Sequence, residues 1–112
     1  KFVFDLDGTL CFDGMTYAKD LQKVLLTAPK YGHEIIFITH ALTETVLCIL
    51  EGELRKLTVV SLNGGEVFQD ERLVSQYRIP SSALRTIVSY CDIYNLPYFI
   101  DDTFNYAIQN SE

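Results

Sequence analysis

Positive charge is scarce in this sequence: nine lysines and arginines stand against fifteen acids, for a net charge of −6 over 112 residues. A surface of that sign repels phosphate backbones and anionic lipids, which argues against a nucleic-acid or membrane-surface role. No apolar run approaches the ~20 residues that a membrane span needs, and the first residues read as a strand rather than a leader. Cysteine is sparse as well. Cys11, Cys48 and Cys91 are odd in number, widely spaced, and without a C-x-x-C pair or a histidine at ligand spacing. That pattern predicts three free thiols in a reducing compartment, and the expected setting is cytoplasmic. Internal repeats, low-complexity tracts and charge blocks are all missing.

What is present is the composition of one globular domain, 48% hydrophobic and 21% charged. A chain of this length hides about two-thirds of its extended surface, enough for one modest core. Phe2-Val3-Phe4 is continuously apolar rather than alternating, which predicts a strand covered on both faces, as in a parallel sheet. A helix is expected over Tyr17 to Lys30, with Leu21, Val24, Leu25 and Ala28 on one face and Gly32 as its stop. Glu34 to Thr39 reads as a second buried strand. Leu42 to Lys56 reads as a second helix with Val46, Leu47, Leu50 and Leu54 inward, although Gly52 weakens it by roughly 1 kcal/mol. Thr58 to Leu62 is the third strand. Alternation of strand and helix with short connections predicts an α/β fold with a Rossmann-like parallel sheet.

After Gly65 the texture changes. Glu66 to Phe68 and Leu73 to Ile79, separated by Gln69-Asp70-Glu71-Arg72, predict a β-hairpin. Pro80-Ser81-Ser82 opens a helix with Leu84, Ile87, Val88 and Cys91 inward and Ser81 or Ser82 as N-cap. Tyr98-Phe99-Ile100 is a further strand. The division expected from this is 1–65 for the α/β part and 66–112 for the start of a second, α+β layer.

The chemistry concentrates where the first strand ends. Asp5 and Asp7 flank one residue at its carboxyl end, the edge at which open α/β sheets bind ligands. Residues two apart in an extended segment point to the same side, so both carboxylates would face one site. Two anions so close call for a cation, and a hard, oxygen-seeking ion such as Mg²⁺ suits the donors. Gly8 then permits a sharp turn whose backbone amides suit an anion.

With its flanks, Phe4-Asp5-Leu6-Asp7-Gly8-Thr9-Leu10 resembles motif I of the haloacid dehalogenase-like superfamily of phosphotransferases, whose signature is D-x-D-G-T. The resemblance implies Asp5 as the nucleophile that forms an aspartyl-phosphate, and Asp7 as the acid that protonates the leaving alkoxide and then activates water. It also implies a Mg²⁺ ion held by the Asp5 side chain and the Asp7 backbone carbonyl, with Leu6 and Gly8 amides on the phosphate. Thr39, at the end of the second strand, falls where the family's motif II places a Ser or Thr on the phosphoryl group. Relatives commonly continue T-G-R, whereas this chain has Thr39-His40-Ala41; the His40 amide remains available as a donor, and its ring is expected at the rim.

Ser61 to Phe68, with Asn63-Gly64-Gly65, resembles the N-G-A stretch of the Cof-type branch, in which the third strand leads to an inserted α/β cap. Asn63 and Gly64 are then expected near the site entrance. The family's motif III lysine has no counterpart, since no lysine follows Lys56. Phe99 to Tyr106 resembles the acidic motif IV only in part, so the chain reads as the N-terminal portion of the family layout. The expected function is Mg²⁺-dependent hydrolysis of phosphate monoesters of small metabolites, such as sugar phosphates or nucleotide-like compounds. Two other readings stay open. One is a compact capless relative that uses Asp101 and Asp102 as a degenerate motif IV, and the other is a non-catalytic module of the same fold. A phospho-acceptor receiver domain is set aside, because its acceptor Asp would stand at the end of the third strand, where Leu62-Asn63 are found. Tyr90, Tyr94, Tyr98, Phe99, Phe104 and Tyr106 are expected in a cap core.

Overall fold

The computed structural model describes residues 1–11, 19–101 and 106–109. They fall into two compact units, Lys1–Gln76 and Tyr77–Glu112. The first holds a five-stranded sheet in the order β1 (Phe2–Asp5), β2 (Ile35–Ile38), β3 (Thr58–Ser61), β4 (Glu66–Gln69) and β5 (Arg72–Gln76). The first three strands are parallel, and β4 and β5 add an antiparallel hairpin. This is the α/β class expected from the alternation of elements. Because β4 is hydrogen-bonded to β3, the hairpin belongs to the same sheet as the parallel strands, and the chain divides after Gln76 rather than near residue 65.

One face of the sheet is dry. Register and pleat alternation place Phe4, Ile35, Phe37 and Val59 on that face. They meet Leu25 of α1 (Lys19–Thr27), Val46 of α2 (Thr43–Ile49), Leu50, Leu54, and Leu6 and Leu10 from the turn after β1. Phe37, Val46 and Val59 have no exposed surface. Side chains of this kind stabilise by about 1.5–3 kcal/mol each when fully buried. The opposite face carries Val3, Ile36, Ile38, Val60 and Val67, all half-buried or exposed. The expectation that β1 is covered on both faces is therefore not met: Phe2 is 48% and Val3 59% exposed. The strand lies at the sheet edge, and both helices contribute to the cluster on one face.

The helices are shorter than the periodicity predicts. α1 gives way at Ala28 to a 3₁₀ turn through Tyr31, which Gly32 ends with φ +81°. Of the predicted span, Tyr17 and Ala18 lie outside the described residues. The predicted 42–56 helix is two pieces. α2 stops at Ile49, Leu50 and Glu51 turn extended, and a 3₁₀ segment runs Gly52–Lys56. Gly52 has φ +55°, a conformation that no helix interior uses. The apolar stripe survives the break because Val46, Leu50 and Leu54 all remain buried. The β4–β5 turn is made by Asp70 and Glu71, with φ of +50° and +60°, the backbone of a tight two-residue hairpin.

The second unit contains α3 (Ser81–Ile93) and the antiparallel pair β6 (Tyr98–Asp101) and β7 (Tyr106–Gln109). Pro80 occupies the N-cap of α3 and no side chain caps it, so neither Ser81 nor Ser82 takes the expected role. No residue of α3 is fully buried. Leu84, Val88 and Cys91 are half-buried, and Ile87 is 50% exposed. Tyr90 and Tyr94 pack ring to ring at 4.5 Å while remaining largely exposed, as does Phe99. Phe104 lies outside the described residues, as does the side chain of Tyr106.

Candidate active site

β1, β2 and β3 end on one edge of the sheet, and Asp5, Leu6, Asp7, Gly8, Thr39, His40, Asn63 and Gly64 lie on that edge or in the turns leaving it. Asp5 closes β1 opposite Ile38, the last residue of β2. Thr39 follows immediately, and its amide donates to the Val60 carbonyl at 2.9 Å. Asn63 and Gly64 leave β3 in a short turn with positive φ at both residues.

The turn after β1 is built from local bonds. The Leu6 carbonyl accepts from the amides of Thr9, Leu10 and Cys11 at 3.3, 3.0 and 2.9 Å. The Gly8 amide donates to the Cys11 carbonyl at 2.8 Å, and Gly8 has φ +76°, where glycine avoids the strain a side chain meets. Leu6, Leu10 and Cys11 are buried beneath. This anchors the turn while Asp5 is exposed and Asp7 half-buried. The Leu6 amide donates to Asp5 Oδ1 at 2.8 Å, so both amides expected on a phosphate, those of Leu6 and Gly8, are engaged within the turn.

The turn after β2 faces it. His40 Nδ1 lies 3.8 Å from Asp7 Oδ2, with the two side chains 70% and 40% exposed, which joins two residues that the sequence analysis had singled out separately. Thr39 is buried, and its Oγ1 accepts from the Ala41 amide at 3.1 Å, leaving the hydroxyl proton as a donor. The His40 amide has no partner among the described residues. Backbone bonds clamp this turn to the next: Leu62 N to Ala41 O and Asn63 N to Thr39 O, both 3.1 Å. Leu62 and Asn63 both sit at φ +52°, unusual for side-chain-bearing residues and above all for Leu.

Four residues that sequence reasoning passed over lie directly beneath. Thr43 Oγ1 donates to Glu66 Oε2 at 2.6 Å and is also hydrogen-bonded to Ser61 Oγ. Gln76 Nε2 donates to Glu66 Oε1 at 3.0 Å. Thr43, Ser61 and Glu66 are at most 3% exposed. A faint signal was there. Ser61 and Glu66 occupy inward positions alternating with Val59 and Phe68, where a polar residue is out of pattern.

Among the described residues no group of three or more His, Cys, Asp or Glu side chains converges as a metal site. The donors at the β1 end are nevertheless of the right kind for Mg²⁺, which keeps several waters and takes one or two carboxylates. Asp102, considered as part of a second acidic pair, lies outside the described residues, as does the side chain of Asp101. The three cysteines are free, and no helix among the described residues is long and apolar enough to cross a membrane.

Residues 2–112 match the family model of the haloacid dehalogenase-like hydrolases. No curated protein matches the chain significantly. Among solved structures, a haloacid dehalogenase-like hydrolase from B. subtilis is 27% identical, with a TM-score of 0.75 over 88% of this chain and 35% of its own. A protein from Bacteroides thetaiotaomicron, studied among the phosphatases of the superfamily, is 16% identical with a TM-score of 0.72, covering 96% of this chain and 40% of that one. A subclass IIB sugar phosphatase is 20% identical with a TM-score of 0.69, covering 95% and 42%. The latter two share the fold. The chain spans less than half the length of each.

Proposed function

The chain belongs to the haloacid dehalogenase-like hydrolases, and from that premise we propose that it carries the nucleophile half of a Mg²⁺-dependent phosphatase acting on phosphate monoesters of small metabolites. The observation that carries the reading is the single edge on which Asp5, Asp7, Thr39 and His40 are gathered, with Asp7 and His40 3.8 Å apart.

Asp5, exposed at the strand end, is the group that attacks phosphorus. Its Oδ1 is oriented by the Leu6 amide, which leaves the other oxygen to form the bond. The phosphoryl group passes to Asp5 as the substrate oxygen leaves, and Asp7 gives that oxygen its proton. Asp7 then takes a proton from the water that attacks the aspartyl-phosphate, releasing inorganic phosphate and returning Asp5 to its carboxylate and Asp7 to its acid form. The Thr39 hydroxyl and the His40 amide donate to the phosphoryl oxygens, the charge neutralisation that phosphoryl transfer chiefly requires. Mg²⁺ bound by the Asp5 carboxylate and the Asp7 carbonyl would supply further neutralisation. Asn63 and Gly64 border the entrance. The proposed substrates are small phosphorylated metabolites rather than nucleic acid or lipid surfaces, in keeping with the acidic composition. Three free thiols support a cytoplasmic setting.

The test is hydrolysis of p-nitrophenyl phosphate by the full-length protein in Mg²⁺ and in EDTA. Turnover that EDTA abolishes supports the reading. A folded protein without turnover in either condition would favour the non-catalytic module.

A further inference from the structure

The buried cluster under the β2 and β3 turns has a definite direction. Thr43 has one hydroxyl proton, and Glu66 Oε2 receives it. The Ser61–Thr43 bond must therefore run from Ser61 to Thr43. The chain of donors is Ser61 to Thr43 to Glu66, with Gln76 donating to the second carboxylate oxygen. Ser61, Glu66 and Gln76 lie in one row across β3, β4 and β5, while Thr43 opens α2 directly after the Thr39 turn. Glu66 is the acceptor on which the donors from both β5 and α2 converge.

Above the cluster are Leu62 and Asn63, held in left-handed backbone. Such residues persist only where their surroundings over-determine them. Their amides bond the carbonyls of Ala41 and Thr39, so the geometry of the Thr39–His40 turn depends on the strained turn beside it. Ser61 precedes that strained turn and Thr43 follows the Thr39 turn. Glu66 reaches both through a single hydroxyl.

We propose that Glu66 is a positioning residue for the anion-binding turn: through Thr43 and Ser61 it fixes the Thr39 hydroxyl and the His40 amide where a phosphoryl group is received. The inference rests on the phosphate-site reading above and adds to it a residue that touches neither substrate nor metal.

The test compares wild type, Glu66→Leu and Glu66→Gln in the full-length protein. Leucine removes both acceptor oxygens and leaves the Thr43 hydroxyl without its acceptor. Glutamine restores complementarity, since its Oε1 accepts from Thr43 and its Nε2 donates to the Gln76 side-chain carbonyl once that amide turns over. Two readouts are used: amide hydrogen exchange at Leu62 and Asn63 against Leu50 and Phe2, and inorganic phosphate affinity in Mg²⁺. In Glu66→Leu, exchange is expected to quicken at Leu62 and Asn63 alone. Phosphate is expected to bind about tenfold more weakly, the loss of one buried hydrogen bond. Glu66→Gln should return to within about twofold of wild type. Uniformly faster exchange would mean that Glu66 only stabilises the fold, and unchanged exchange would mean that it holds nothing; either overturns the proposal. If Glu66→Leu does not fold, Gln76→Ala at the exposed end of the cluster gives the same comparison with a smaller shift. A wild type that binds no phosphate sinks the phosphatase reading, while the exchange pattern separately decides whether Glu66 holds the turn.

Discussion

The two halves of the site are built differently. The half after β1 is local: its bonds join residues within the Asp5–Cys11 stretch, and its acids face solvent. The half after β2 and β3 is assembled at a distance. Thr43 reaches Ser61 across 18 positions and Glu66 across 23, and the groups that hold it are buried. The contrast separates two ways of making a binding edge. One half keeps its reactive groups exposed on a turn whose hydrogen bonds are its own and whose Leu6 and Leu10 are anchored in the core. The other places its donors by tertiary structure, so their position is only as good as the packing below.

The sharpest way to break this comparison is Asp5→Asn. The local half should lose chemistry without losing structure. Turnover is expected to fall by about 10⁴-fold or more, the scale seen when a nucleophile is removed. Stability should be unchanged or slightly higher, because repulsion between Asp5 and Asp7 is relieved. Steady-state turnover and urea unfolding on one preparation check both. A variant retaining most of its activity would remove Asp5 from the role of nucleophile.

The distant half should respond in the opposite sense. Thr43→Val keeps the shape but strips the hydroxyl that links Ser61 to Glu66, leaving buried polar groups unpaired. The expected cost is about 1–3 kcal/mol of unfolding free energy, with turnover reduced rather than abolished. A urea midpoint equal to wild type would show that the cluster contributes nothing to stability.

Gly8→Ala falls between these. A Cβ at Gly8 meets no atom within 4 Å, yet the residue sits at φ +76°. The cost is therefore conformational alone, about 1–2 kcal/mol, measurable by the same unfolding experiment. A much larger loss would mean that the turn is less self-contained than its bonds indicate.

How much of this could be read in the sequence follows the same division. The β1 half was legible because its elements are contiguous: an apolar strand, two acids one residue apart and a glycine needing positive φ. Thr39 and Asn63 were legible as strand ends, since period and turn chemistry mark where strands stop. Their direct backbone bond was not, because it depends on the register of β2 against β3. Glu66 reads as the opening of a hairpin, and only pairing with Ser61 turns it inward. The 42–56 helix broke at Leu50 and Glu51, just before Gly52, for a related reason. Helical spacing of Val46, Leu50 and Leu54 records which residues are buried, and an extended break between two short helical pieces buries them as well. The one-sided covering of β1 was hidden too, since a continuous apolar run does not say whether its strand will be central or at an edge.

The smallest expected effect tests which part of His40 matters. Its ring is 70% exposed and 3.8 Å from a partly exposed carboxylate, a surface pair worth well under about 1 kcal/mol. Its amide, by contrast, belongs to the turn that Thr39 and Asn63 hold in place. His40→Ala removes the ring and keeps the amide. Unfolding free energy should stay within about 0.5 kcal/mol of wild type. Turnover should change far less than the ~100-fold or more expected for losing an acid–base group. If turnover instead falls by that amount with stability intact, the ring works on the reacting groups. The division between an exposed half that reacts and a buried half that positions would then have to be redrawn, with His40 moved to the side of Asp7.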